Sequence, residues 1–150
     1  MRSLCNLWSG LVAICSGVAL GAQAGELAPG QPAPGFALTD QHSTLQRLSD
    51  YRGQWLVVYF YPKDDTPGCT KEACKFRDNL QDITALGAQV LGVSMDNTES
   101  HKRFAEKYSL PFPLLSDGDG TVAKTYGALW SLGLIKFAKR HSFIIDPAGR

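Results

Sequence analysis

The chain has 150 residues, 44% hydrophobic and 19% charged, with a formal net charge of +1. This is the composition of one ordinary compact domain, and it excludes a disordered chain or a coiled coil. No run of like charge exceeds two residues, so nucleic acid and anionic membrane surfaces are poor candidates for partners.

Arg2 precedes an apolar run from Leu11 to Ala22 that closes on Ala22-Gln23-Ala24. A basic start, an apolar middle and a small-x-small end read as a secretory signal peptide cleaved after Ala24. The run is shorter than the ~20 residues that a bilayer requires, so no stable membrane association is expected after cleavage. The expected address is across the inner membrane, in a bacterial periplasm, and the expected domain runs from Gly25 to Arg150. Cleavage removes Cys5 and Cys15 and leaves Cys69 and Cys74, which make no disulfide framework.

Gly25 to Gly35 holds Pro29, Pro32 and Pro34 and reads as an extended arm. Phe36 to Thr39 and Thr44 to Leu48 flank the turn-forming Asp40-Gln41-His42-Ser43, which predicts a hairpin. Trp55 to Tyr61 is a continuous aromatic and β-branched run, the pattern of a central strand buried on both faces. A loop with Pro62, Pro67 and Gly68 leads into a helix over Thr70 to Leu86, with Ala73, Phe76, Leu80, Ile83 and Leu86 at helical spacing and Gly87 as its stop.

A strand over Gln89 to Met95 follows, then a helix from Asn97 to Tyr108 capped by Asn97 or Thr98. A strand at Phe112 to Leu115, a turn through Asp117 to Gly120, a short helix from Thr121 to Tyr126 and a strand from Ser142 to Ile145 complete the series. Alternating strands and helices imply an α/β fold with a mostly parallel central sheet flanked by helices. The sequence stops at Asp146-Pro-Ala-Gly-Arg150, turn chemistry directly after a strand, and the domain is expected to be incomplete there.

The chemistry concentrates where the first central strand meets its helix, in Pro62-Lys-Asp-Asp-Thr66-Pro67-Gly68-Cys69-Thr70-Lys71-Glu72-Ala73-Cys74. Sites in open α/β sheets form at this strand end. Thr66 suits the N-cap and Pro67 the first helical position, which places Cys69 in the first turn. Unpaired backbone N–H groups and the positive end of the helix dipole there favour a thiolate. A buried structural cysteine is the alternative.

Pro62-x-x-x-Thr66-x-x-Cys69 resembles the peroxiredoxin active-site motif, and Phe60 to Cys74 is similar to the peroxiredoxin Q subfamily, also called bacterioferritin comigratory protein. The resemblance extends from about Leu27 to Arg150 and includes Arg140 before the His141 to Asp146 strand. It implies a thioredoxin-like fold, from which the last strand and helix are missing. It also implies a peroxidase in which Cys69 attacks the peroxide and Cys74 resolves the product as a Cys69–Cys74 disulfide. Thr66 and Arg140 would hold the thiolate and polarise the peroxide, Pro62 would shield the pocket and Glu72 would orient Arg140. The backbone N–H groups of Gly68 and Cys69 can hold an oxygen, and a permanently charged arginine stabilises thiolate and alkoxide alike. Hydrogen peroxide and organic hydroperoxides are the implied substrates, a thioredoxin or similar dithiol the implied reductant, and a monomer or weak dimer the implied state.

No cofactor is called for. His42, His101 and His141 show no ligand spacing, so a metal site is not expected and all three are expected at the surface. Thr66 can also be read as a cap alone, and without the motif Glu72 reads as a first-turn acid and Arg140 as a charge at a sheet end. Two other functions share the fold. A thioredoxin-like disulfide reductase needs Cys-x-x-Cys, whereas four residues separate Cys69 from Cys74. A non-catalytic peroxide sensor needs a surface to pass its state to a partner, for which the apolar Ala128 to Ala138 stretch is the candidate, against local core or a lid.

Overall fold

The structure is a computed structural model that describes residues 27–150; the segment expected to be a leader, with Cys5 and Cys15, lies outside them. The elements in chain order are β1 (Ala37–Asp40), β2 (Leu45–Arg47), a 3-10 turn (Leu48–Tyr51), β3 (Trp55–Phe60), α1 (Pro67–Asp78), α2 (Leu80–Ala85), β4 (Ala88–Ser94), α3 (Thr98–Tyr108), β5 (Leu114–Ser116), α4 (Thr121–Thr125), β6 (Leu129–Leu132), β7 (Ile135–Ala138) and β8 (His141–Ile145). Six strands form one sheet in the order β2-β1-β5-β4-β3-β8, and β6 and β7 form a separate hairpin.

β3 pairs parallel with β4, and β4 with β5. β1 and β8 close this parallel centre antiparallel, β8 on β3 and β1 on β5. β3 has neighbours on both sides, as its unbroken apolar run predicts. Its side chains alternate between two cores. Leu56, Val58 and Phe60 enter one, with Leu91, Val93, Leu115, Val122 and Tyr126. Tyr59 enters the other, followed by Tyr61, with Val90, Phe104, Leu114, Cys69 and Ala73. The thiol therefore belongs to the core between the sheet and α1.

Two sequence expectations need correction. The helix begins at Pro67, the first helical position that the sequence assigns to it, but the run expected to continue to Leu86 breaks at Asn79, where the backbone leaves helical geometry (φ −105°, ψ 10°). The Asn79 amide donates to the Lys75 carbonyl at 2.8 Å, the side-chain competition with backbone that makes asparagine a poor helix interior. The Ala128 to Ala138 stretch, read as a candidate docking surface against local core or a lid and given no secondary structure, is built around the β6–β7 hairpin, with Gly133 in the left-handed region (φ +58°) at its turn. The other termini follow the sequence: Gly87 has φ +74° just past α2, and Asn97 caps α3 by accepting from the Ser100 N–H at 2.8 Å.

Candidate active site

α1 begins where β3 delivers the chain at its C-terminal end. Pro67 occupies the first helical position, and the Thr70 N–H closes the first turn onto the Thr66 carbonyl at 2.9 Å. Cys69 lies in that turn with 1% of its surface exposed. Thr66 precedes the helix in extended conformation, but its hydroxyl does not cap it; it donates to the Lys63 carbonyl at 3.2 Å. The reading of Thr66 as a side-chain cap is therefore corrected. The Gly68 and Cys69 N–H groups, left without a cap, remain available to a thiolate or a peroxide oxygen.

Arg140 reaches this turn from the far end of the sequence. It directly precedes β8, which pairs with β3 so that His141 lies opposite Phe60. The β3–β8 register thus sets Arg140 beside the end of β3. Its Nη2 donates to Cys69 Sγ at 3.0 Å and its Nη1 to Glu72 Oε2 at 2.8 Å. Glu72, one helical turn after Cys69, holds the other limb of the guanidinium fork and fixes its plane. Gly68 makes room, because a Cβ there would stand 2.6 Å from Nη2. The structure places Cys69, Arg140, Glu72 and Gly68 side by side. Pro62 is half-buried at the loop's start.

Cys74 is also a free thiol, half-buried on the same continuous helix. A groove of about 570 Å³ opens along α1, lined by Gly68, Glu72 and Arg140 with Phe76, Ile83 and the cations Lys71 and Lys75. Tyr59 stacks on Phe76 with centroids 4.6 Å apart. Burial first, then the negative charges of Glu72 and Asp64, push the Tyr59 phenol well above the usual range.

His101 overturns the expectation that all three histidines are surface residues. It is wholly buried, with Nδ1 2.9 Å from Asp64 Oδ2. Tyr61 and Ser100 hydroxyls donate to the same carboxylate at 2.8 and 2.7 Å. The next residue, Asp65, has a left-handed backbone (φ +56°) and binds Lys107 Nζ at 2.6 Å and the Tyr108 hydroxyl at 2.6 Å. These partners hold its carboxyl below the usual range. Two consecutive aspartates thus strap the loop between β3 and α1 onto α3, one through the core and one at the surface. Sequence reasoning missed both straps. The signal available was the spacing of His101, Phe104 and Ala105, which puts the histidine on the buried face of α3. Among the described residues no cluster of His, Cys, Asp and Glu is arranged to hold a metal.

A nucleophilic thiol at an uncapped helix start, held by an arginine and set on a thioredoxin-like sheet, defines a thiol-based redox enzyme. The comparisons give the family. The AhpC/TSA family matches residues 29–150. The putative peroxiredoxin bcp of Coxiella burnetii is 45% identical, over 80% of this chain and 82% of its own length. The chloroplastic peroxiredoxin Q of rice is 44% identical, and the match covers 83% of this chain but 57% of the plant protein. The crystal structure of peroxidoxin BcpB from Mycobacterium tuberculosis superposes with a TM-score of 0.77 at 39% identity, over 81% of this chain and 80% of that one. The chain belongs to the AhpC/TSA family, on its peroxiredoxin Q and Bcp side, and is a thiol-dependent peroxidase.

Proposed function

We propose that Cys69 reduces hydrogen peroxide and organic hydroperoxides and that Cys74 then closes a disulfide with it. The Cys69 thiolate attacks the terminal peroxide oxygen, the O–O bond breaks, and the other oxygen leaves with a proton as water or alcohol. Cys69 is then a sulfenic acid. The Cys74 thiol attacks that sulfur and expels water, and a dithiol reductant of the thioredoxin kind returns both sulfurs to thiols by exchange. The observation that carries this reading is the 3.0 Å contact between Arg140 Nη2 and Cys69 Sγ at the start of α1. A positive, hydrogen-bonding group at that distance stabilises thiolate and developing oxyanion together. The open groove with Phe76 and Ile83 supports organic hydroperoxides alongside hydrogen peroxide.

Resolution requires motion. Five residues along a continuous helix separate two Cα atoms by roughly 8.6 Å, and a disulfide spans at most about 7 Å. α1 must unwind between Cys69 and Cys74 in each cycle. An exported location is part of the same proposal, supported by Arg2, the Leu11 to Ala22 run and Ala22-Gln23-Ala24. The test is a peroxide titration of the reduced protein with mass spectrometry of the Cys69 and Cys74 peptides. Cys69→Ser is expected to consume no peroxide, and Cys74→Ser to complete one turnover and accumulate sulfenic acid. Equal loss of the first turnover in both variants would refute the assignment, and reduction of insulin disulfides without peroxide consumption would favour a disulfide reductase.

A further inference from the structure

The even overall charge, which argues against a membrane partner, averages over an uneven chain. From Gly120 to Ile145 there is no Asp or Glu, while Lys124, Lys136 and Lys139 fall in that stretch along with Arg140. The β6–β7 hairpin lies within it. Its register pairs Trp130 with Phe137 and Leu132 with Ile135, so these four side chains share one face. Leu129 and Ala138, paired on the opposite face, pack on the core. The outer face is therefore apolar; Trp130 and Phe137 on it are half-buried, and its far end is open. Leu132 is 68%, Ile135 63% and Leu134, at the apex, 102% exposed. Behind them Trp130 and Phe137 stack with centroids 4.6 Å apart.

We propose that this hairpin docks on an anionic lipid bilayer, with Leu132, Leu134 and Ile135 entering the acyl boundary and Lys136 and Lys139 meeting the headgroups. The size of the patch favours a bilayer over a second copy of the chain. The three exposed side chains offer roughly 400 Å² of apolar surface, the size of the largest patch on a typical monomer, which is often functional. A stable protein interface needs about 800 Å² from each partner. The shape argues the same way, because the most exposed residue is the apex and a fluid phase can close around a convex tip. Trp130 stands one aromatic layer behind the tip, where amphipathic rings settle at the headgroup level. Lysine stems bury alongside apolar surface while their ammonium groups remain at the anionic interface. The docking stands apart from the chemistry of Cys69 and does not depend on it.

The experiment uses the full chain with Trp8→Phe and Trp55→Phe, so that Trp130 alone reports, whatever the N-terminal segment does. Vesicles of equal parts phosphatidylcholine and phosphatidylglycerol, with bromine on the acyl chains, serve as probe. Trp130 emission is expected to shift to the blue and to fall at least twofold. About tenfold more lipid should be needed with pure phosphatidylcholine or in 0.5 M salt. Leu134→Asp, at a fully exposed position, should abolish the quenching and leave peroxide consumption unchanged. Trp130 emission that ignores the vesicles would overturn the proposal, even if the chain sediments with lipid. So would a blue shift that follows protein concentration without lipid, together with a dimer in the ultracentrifuge.

Discussion

In Gly68→Ala the added Cβ would stand 2.6 Å from Arg140 Nη2 and 3.2 Å from its Cζ. The guanidinium is the far end of a flexible side chain, so it retreats and the backbone stays. Restoring ordinary contact takes about 1 Å, which moves Nη2 from 3.0 Å to roughly 4 Å from the sulfur. At an effective dielectric of about 20 the attraction then weakens by about 1.4 kcal/mol. The Arg140 side chain is 41% exposed, and solvent screening trims this further. Peroxide reduction should slow by about three- to tenfold. Stability should move the other way, since alanine for glycine in a helix gains up to about 1 kcal/mol. The assay is single-turnover peroxide consumption by the reduced protein, beside urea unfolding of the same sample. A rate within twofold of the parent would show that the Arg140 contact carries no catalysis. A slower rate accompanied by lost stability would show that Gly68 acts through the fold instead.

Arg140→Lys keeps the charge but loses the fork that meets Cys69 and Glu72 together; a loss of tenfold or more in steady-state rate is expected, and a rate within twofold would make Arg140 structural only. Hydrogen exchange between Pro67 and Phe76 should be faster in the disulfide form than in the dithiol form, with Trp55 to Tyr61 little changed; equal protection in both would remove the unwinding step. In alkali the buried phenols govern stability. Burial, then Asp50 and Asp40, raises Tyr51 to about 12, and burial also raises Tyr59, Tyr61 and Tyr126. A raised folded value favours the protonated phenol, so this stability is whole below about pH 10 and is lost as pH rises through about 12. Tyrosinate absorbance should therefore appear in one cooperative step with the loss of circular dichroism; a gradual rise centred on pH 10 with the fold intact would contradict it.

The parts of the site that lie close in sequence were legible in it. Pro67, Gly68 and Cys69 follow one another in a helix start, and helix-start chemistry depends on neighbours along the chain. Arg140 is different: its contact depends on the register of β8 against β3, and only the resemblance to a family pointed to it. Asp64 and His101 were hidden for a similar reason. Neither residue carries a local signal of pairing, and a histidine on an otherwise apolar helical face looks polar until its partner arrives from another element. The helix break at Asn79 escaped because the apolar spacing continues across it, so periodicity alone reads one helix where two meet. The hairpin at Leu129 to Ala138 escaped because its outer face is apolar, which removes the alternation by which a strand with one solvated face is recognised.

The aspartate straps bear on how quickly the enzyme resets. A helix forms slowly at its first turn, where several residues must be fixed for one hydrogen bond, and readily thereafter. When a reductant opens the proposed disulfide, α1 must regain the turn that holds Cys69. Asp64 and Asp65 keep the preceding loop on α3, and Thr66 follows directly, its carbonyl the acceptor for the Thr70 N–H. The recoiling segment therefore extends from a prepared template and skips nucleation, within about a microsecond. In the proposed cycle, regaining this turn is then not the slow step.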